Sequence, residues 1–156
     1  MASITGLLHT KNDGLRIGRC LETLYPCDDI VVVDHGSRDA TVQVARVYGA
    51  RVLMAQNGAS IDRYLRSIQG WVLCLDPSES LTESLAASLF EWKSGAAQAG
   101  AFSVFVREET AGGWVDNPAA QTRLVPPSWG RWDGRFPAHE PAAVALEGEL
   151  LRFMFP

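Results

Sequence analysis

Apolar and polar positions fall into alternating blocks along the first part of this chain. Ser3 to Leu8 is a short apolar run, and Gly14 to Tyr25 places Ile17, Leu21 and Leu24 at helical spacing. Asp29 to Asp34 carries Ile30-Val31-Val32-Val33 at its centre. A continuous β-branched run of that kind suits a parallel strand covered on both faces. A second helix is predicted from Asp39 to Tyr48, closed by Gly49 as C-cap, and Arg51 to Met54 returns as a third strand. Ile61 to Ile68 predicts a short helix and Trp71 to Leu75 another buried strand. Ser80 with Glu83 reads as a capping box opening a helix through Trp92, with Leu81, Leu85 and Leu89 as its apolar stripe.

After the Gly/Ala-rich stretch Ser94 to Gly100 the pattern changes. Ala101 to Arg107 and Gln121 to Val125 predict strands, and Ala143 to Phe155 predicts a hairpin turning at Glu147-Gly148-Glu149. Between them, the Pro- and Trp-rich segment Pro126 to Pro141 predicts a surface loop. Repeated β-α alternation followed by strands predicts an α/β domain with a mostly parallel sheet and antiparallel strands added in the C-terminal half. We take residues 1–156 as one domain, divided near 98/99.

Composition narrows the function classes. With 156 residues and 47% hydrophobic content, one core of ordinary size is expected. A formal net charge of -4 lacks the basic footprint of a nucleic-acid binder, so no nucleic-acid partner is expected. No stretch approaches the roughly 20 apolar residues that span a bilayer. The opening Met1-Ala2-Ser3-Ile4-Thr5 has no basic segment before an apolar one, so a cytoplasmic protein without a transmembrane segment is expected. Cys20, Cys27 and Cys74 form no C-x-x-C pair and are expected to be buried thiols in a reducing compartment. No Gly-x-Gly-x-x-Gly follows the first strand, since Gly14 and Gly18 do not make that pattern, which sets a dinucleotide enzyme aside.

In open parallel sheets ligands bind beyond the carboxyl ends of the strands. Three predicted strands end in polar runs: Thr10-Lys11-Asn12-Asp13, Asp34-His35-Gly36-Ser37-Arg38-Asp39, and Asp76-Pro77-Ser78-Glu79. A carboxylate at Asp34 can accept from a nucleobase N–H or a ribose hydroxyl. The same spacing also suits a turn in which Asp34 and Asp39 cap the next helix, and for Asp39 capping is the expected role.

The run Val31-Val32-Val33-Asp34-His35-Gly36-Ser37-Arg38-Asp39-Ala40-Thr41 resembles the "VVDSGSTDGT" motif of family 2 glycosyltransferases, particularly those related to lipopolysaccharide core glucosyltransferases. Thr10-Lys11-Asn12-Asp13 is similar to that family's "TYNE", and Trp71 to Glu79 to its "WVLFLDADE". Gln121-Thr122-Arg123-Leu124-Val125 and His139-Glu140 resemble "QLRLF" and "VHE". The resemblance implies a GT-A fold, a three-layer α/β/α sandwich that binds a nucleotide-diphospho-sugar, usually a uridine one. It also implies transfer of the sugar to an acceptor hydroxyl with inversion. Residues 1–98 then correspond to the nucleotide-binding part and 99–156 to acceptor-side strands and loops. Thr10, Asn12, Asp13, Asp34, Ser37 and Asp76 fall on nucleotide-binding positions.

The family's D-x-D motif holds Mg²⁺ or Mn²⁺ against the diphosphate, but here it reads Asp76-Pro77-Ser78. A neutral hydroxyl is a poor ligand for a hard divalent cation. The resemblance leaves Asp76 and His139 as metal candidates, with Glu79 as partial compensation. Lys11, Arg38 and Arg63 are candidates for substitute cations or solvated surface charges. An inverting transfer needs a general base, and Glu140 and Asp116 are the candidate carboxylates. Trp114, Trp129 and Trp132 could stack on sugar faces or fold onto the sheet. Relatives continue beyond the position of Pro156, so an acceptor site completed by a homodimer or a partner subunit is expected. An inactive GT-A relative serving as a binding or scaffolding module is the alternative, and a place at the inner face of the membrane is compatible with either.

Overall fold

The computed structural model describes residues 2–95 and 98–156. Met1, at the predicted start, and Ala96 and Ala97, in the Gly/Ala-rich joint, lie outside the described residues. In chain order the elements are β1 (Ile4–Thr10), α1 (Ile17–Glu22), β2 (Asp29–Asp34), α2 (Thr41–Val47), β3 (Arg51–Met54), α3 (Ile61–Leu65), β4 (Trp71–Leu75), β5 (Glu79–Leu81), α4 (Glu83–Ser94), β6 (Phe102–Thr110), β7 (Gly113–Asp116), β8 (Gln121–Val125), β9 (Trp132–Asp133), β10 (Phe136–Pro137) and β11 (Val144–Arg152).

β1 is buried along its whole length because it is central, flanked in parallel by β2 and β4. The main sheet runs β3-β2-β1-β4-β8-β6-β11-β5, with β7 added to β6. β8 is antiparallel to both β4 and β6, which returns β6 and its parallel neighbour β11 to the direction of β1. The result is the expected α/β sandwich with a mostly parallel sheet.

Side chains alternate between two cores across the sheet. Ile4, Leu8, Val32, Leu73 and Leu124 pack with Ile17 and Leu21 of α1, Ala45 of α2 and Leu85 and Leu89 of α4. Leu7, Val31, Val33, Val72 and Val125 face the other way, onto Tyr64 and Leu65 of α3 and onto Trp129, Trp132 and Phe136. Each such aliphatic side chain contributes about 1.5–3 kcal/mol by leaving water. The segment predicted as a surface loop therefore carries a small ribbon, β9–β10, that packs against this second core. All three cysteines are free, with Cys20 and Cys74 buried and Cys27 half-buried, and burial pushes the Cys27 and Cys74 thiols up to about 12.

Two sequence expectations are corrected. Val144–Arg152 is one strand, not a hairpin: it pairs in parallel with β6 and, at its end, antiparallel with β5. The Glu147-Gly148-Glu149 signal marks a bulge between Ala145 and Glu149, where Gly148 adopts φ +93 and a Cβ would lie 2.3 Å from the Leu85 backbone nitrogen. Turn chemistry is shared by bulges and hairpins, and here the two flanks find better partners than each other. The capping box is also displaced. Ser80 and Leu81 lie in β5, and Thr82 is the N-cap, its hydroxyl accepting from the Leu85 N–H at 3.2 Å.

Candidate functional site

Parallel register brings the strand ends together, since Thr10 pairs with Asp34 and Leu8 with Leu75. The loops after β1 and β2 are then stitched side by side. Thr10 Oγ donates to Asp34 Oδ1 at 2.8 Å, and Ser37 gives Asp34 both its hydroxyl, at 2.6 Å, and its N–H, at 2.9 Å. Asn12 takes a left-handed conformation, φ 55, that few residues other than glycine adopt. Its N–H donates to Ser37 Oγ and its side-chain oxygen accepts from the Arg38 N–H, both at 2.8 Å. Asp39 accepts from the N–H groups of Thr41 and Gly14, each at 3.0 Å, so it ties the start of α2 to the first loop.

Asp34 is buried, and burial pushes its carboxyl upward. The Ser37 and Thr10 hydrogen bonds outweigh that and hold it below the usual range. Asp13 moves the other way, raised by desolvation with the Asp76 and Asp39 charges adding to it, against the Lys11 N–H and Arg16. Asp13 and Asp76 therefore share one electrostatic neighbourhood on the same edge.

Beside this corner lies a cavity of about 280 Å³ lined by His9, His35, Tyr64 and Arg135 among others. His9 Nδ1 and His35 Nε2 share a hydrogen bond at 3.0 Å, and His9 Nε2 is buried without a hydrogen-bond partner among the described residues. Desolvation, with Arg135 and His35 nearby, lowers the His9 pKa to about 4. The pair was not anticipated from the sequence, although two parallel strands ending at one edge put position 9 diagonal to position 35.

The third strand end is built differently. Asp76 Oδ1 accepts from the Ser78 N–H at 2.9 Å and from the Ser78 hydroxyl at 2.6 Å. Glu79 is fully buried and faces inward, where Arg123 grips it bidentately at 2.7 and 2.8 Å and Arg152 adds a bond at 2.8 Å. Its Oε1 also accepts from the Asp76 N–H at 2.8 Å, which closes the Asp76–Glu79 turn. Glu79 is thus a structural anchor and is withdrawn from any compensating metal role.

The residues present do not fit a divalent cation. Asp76 is the one carboxylate of the motif, Ser78 already donates to it, and Glu79 is sequestered by two guanidinium groups. Among the described residues no group of three or more His, Cys, Asp or Glu side chains stands in a metal-holding arrangement. His139 is exposed and lines a separate cavity of about 330 Å³ with Asn117, Gln121, Arg123 and Phe136.

Glu140 receives the Ala142 N–H and pairs with Arg131, both of which hold its carboxyl low. Its own N–H donates to Thr122 Oγ at 2.9 Å, docking the loop onto β8. Asp116 lies on the exposed strand β7, paired with Arg107, and meets none of the strand-end carboxylates. Trp129 and Trp132 fold onto the sheet and donate their indole N–H groups to Arg131 and Trp129 carbonyls at 2.8 Å. Trp114 packs edge-on against Phe153. Lys11 and Arg38 are exposed at the first corner, whereas Arg63 lines a cavity against β3.

No protein-family model matches the chain. A glycosyltransferase of Rickettsia prowazekii (strain Madrid E) is 31% identical over 90 residues, which is 54% of this chain and 31% of that protein. A glycosyltransferase of Rickettsia typhi (strain ATCC VR-144 / Wilmington) matches over the same shares, again at 31% identity. The matched stretch thus spans about a third of the length of these curated relatives. Among solved structures, a mycobacterial protein superposes with a TM-score of 0.52 over 70% of this chain and 42% of its own, at 22% identity. Glucosyl-3-phosphoglycerate synthase from Mycobacterium tuberculosis, in complex with Mn²⁺, UDP and phosphoglyceric acid, does so with a TM-score of 0.50 over 69% of this chain and 43% of its own, at 21% identity. The fold is that of GT-A glycosyltransferases, and the curated relatives carry the resemblance at the level of sequence.

Proposed function

We propose that this chain is the nucleotide-binding part of a family 2 glycosyltransferase that holds a UDP-sugar at the edge where β1, β2 and β4 end. The observation that carries the reading is the convergence of Thr10, Asn12, Asp13, Asp34, Ser37 and Asp76 on that edge. Thr10, Asn12, Asp34 and Ser37 form a rigid corner for the nucleoside, and Asp13 and Asp76 border the diphosphate. The glycosyltransferase names of the Rickettsia relatives support the reading.

In the transfer an acceptor hydroxyl oxygen attacks the anomeric carbon, the bond from that carbon to the diphosphate oxygen breaks, and the hydroxyl proton passes to a carboxylate. Glu140, docked onto β8 beside the end of β4 through Thr122, is the first candidate base, and Asp116 on β7 is the second. The reaction runs in the cytoplasm, where nucleotide-sugars are available. A second reading, binding without turnover, is favoured by the hydrogen bond that closes Ser78 onto Asp76.

Calorimetric titration with UDP and UDP-glucose tests the proposal. Saturable binding that weakens at least tenfold in Asp34→Ala is the expected result, with thermal unfolding as the check on folding. Absence of binding to either nucleotide overturns it, and binding without UDP release from UDP-glucose in the presence of hydroxyl acceptors selects the second reading.

A further inference from the structure

The Asp76–Ser78 corner lacks a metal-binding carboxylate but does not lack positive charge. One carboxylate, Glu79, is shared by two guanidinium groups, so the triad carries one unmatched positive charge. Arg123 is buried, and all five of its N–H groups are used, on Glu79, the Cys74 carbonyl and Gln121. Arg152 is different. Its Nε and Nη2 both donate to Glu79 Oε2, at 3.2 and 2.8 Å, and its other N–H groups have no hydrogen bond among the described residues. Its side chain is 29% exposed, so the triad's excess charge is the one that reaches solvent, with the exposed Glu108 as its cross-strand neighbour on β6.

Its position is equally specific. Arg152 is the Cα partner of Glu79 across β11 and β5, and the next residue, Phe153, donates its N–H to the Ser78 carbonyl at 2.9 Å. The strand thus seats Arg152 on Glu79, next in sequence to Ser78, where the metal-binding carboxylate is missing. Asp76 is among the charges that raise the Arg152 pKa, after Glu79 and Glu108, which places it within electrostatic reach.

We propose that Arg152 binds the diphosphate of the nucleotide in place of a divalent cation, so that this chain takes its nucleotide without metal. This rests on the nucleotide-sugar reading above. A guanidinium presents paired N–H groups that match two phosphate oxygens and needs no completed ligand shell. Glu79 acts as a positioning residue, fixing the Arg152 fork before the ligand arrives and so reducing the ordering cost of binding. Ser78, free of any ligand duty, orients Asp76.

The test compares UDP with uridine, which differ by the diphosphate, in calorimetry on the whole chain with EDTA and with Mn²⁺. The expected result is UDP binding in EDTA that changes less than twofold when Mn²⁺ is added. Arg152→Gln should weaken UDP at least tenfold and leave uridine unchanged, with Arg152→Lys losing less. UDP binding that appears only with Mn²⁺ overturns the metal-free inference while leaving the nucleotide reading intact. Equal loss of UDP and uridine in Arg152→Gln, or no loss of either, also overturns it, the first by showing a purely structural role. Should Arg152→Gln fail to fold, Arg152→Lys decides by the same UDP-against-uridine split. Binding of neither ligand by the unaltered protein removes the nucleotide reading itself.

Discussion

Two corners of the same sheet edge hold a buried carboxylate by opposite means. At the end of β2, Asp34 is held by neutral donors, the hydroxyls of Thr10 and Ser37 and one N–H. At the start of β5, Glu79 is held by two guanidinium groups and one N–H. The first arrangement keeps a negative charge at the edge and fixes loop shape, whereas the second buries one negative charge under two positive ones. A single edge thereby gains one corner held by hydroxyls and one held by guanidinium groups.

The largest expected effect comes from breaking the charged corner. Arg123→Met leaves Glu79 buried with one flexible partner and should cost about 3–5 kcal/mol in urea unfolding. Adding Glu79→Leu should recover more than half of that loss, because the penalty lies in the stranded charge. A double variant no more stable than the single one breaks the comparison.

Acid sharpens the comparison from the other side. His9 titrates near 4 in the folded chain and near 6.5 when unfolded, so the unfolded state binds the extra proton between those values. Stability should be fully present above pH 6.5 and fall by about 3 kcal/mol as pH drops to 4. Asp34, held below the usual range, adds a further loss as pH falls through its own titration. Unfolding free energies measured across this range should lose most of their slope in His9→Phe.

Smaller effects follow. Asp34→Ala leaves the Thr10 and Ser37 hydroxyls without their acceptor and should cost about 2 kcal/mol, with Asp34→Asn costing less because one oxygen remains. Thr82→Ala removes a neutral hydroxyl from the charged side of the molecule, where it caps α4, and should cost about 1 kcal/mol by thermal unfolding.

The polar corner was legible in the sequence and the charged one was not. Val31 to Val33 announces a strand buried on both faces, and the rule for parallel sheets then marks Asp34 and its neighbours as edge residues. Glu79 meets Arg123 and Arg152 across 44 and 73 positions, a distance that local pattern cannot bridge. Misplaced structure has the same origin. Glu147-Gly148-Glu149 has the chemistry of a turn, and only the approach of Leu85 decides that it is a bulge. Ser80 and Thr82 both suit a helix start, and the pairing of β5 with β11 decides between them. β7 and the β9–β10 ribbon carry too few buried positions to register as alternation.

The place of β11 in the sheet governs the order in which this chain can fold. It lies between β6 and β5, and among the described residues β5 has no other sheet partner. The pairings among β1, β2, β3 and β4 lie wholly within the first 75 residues, although the core that covers them draws on Leu85, Leu89 and Leu124. Residues 79–81 must wait until residue 152 has emerged. Until then Glu79 and Arg152 cannot form the pair that anchors the start of β5.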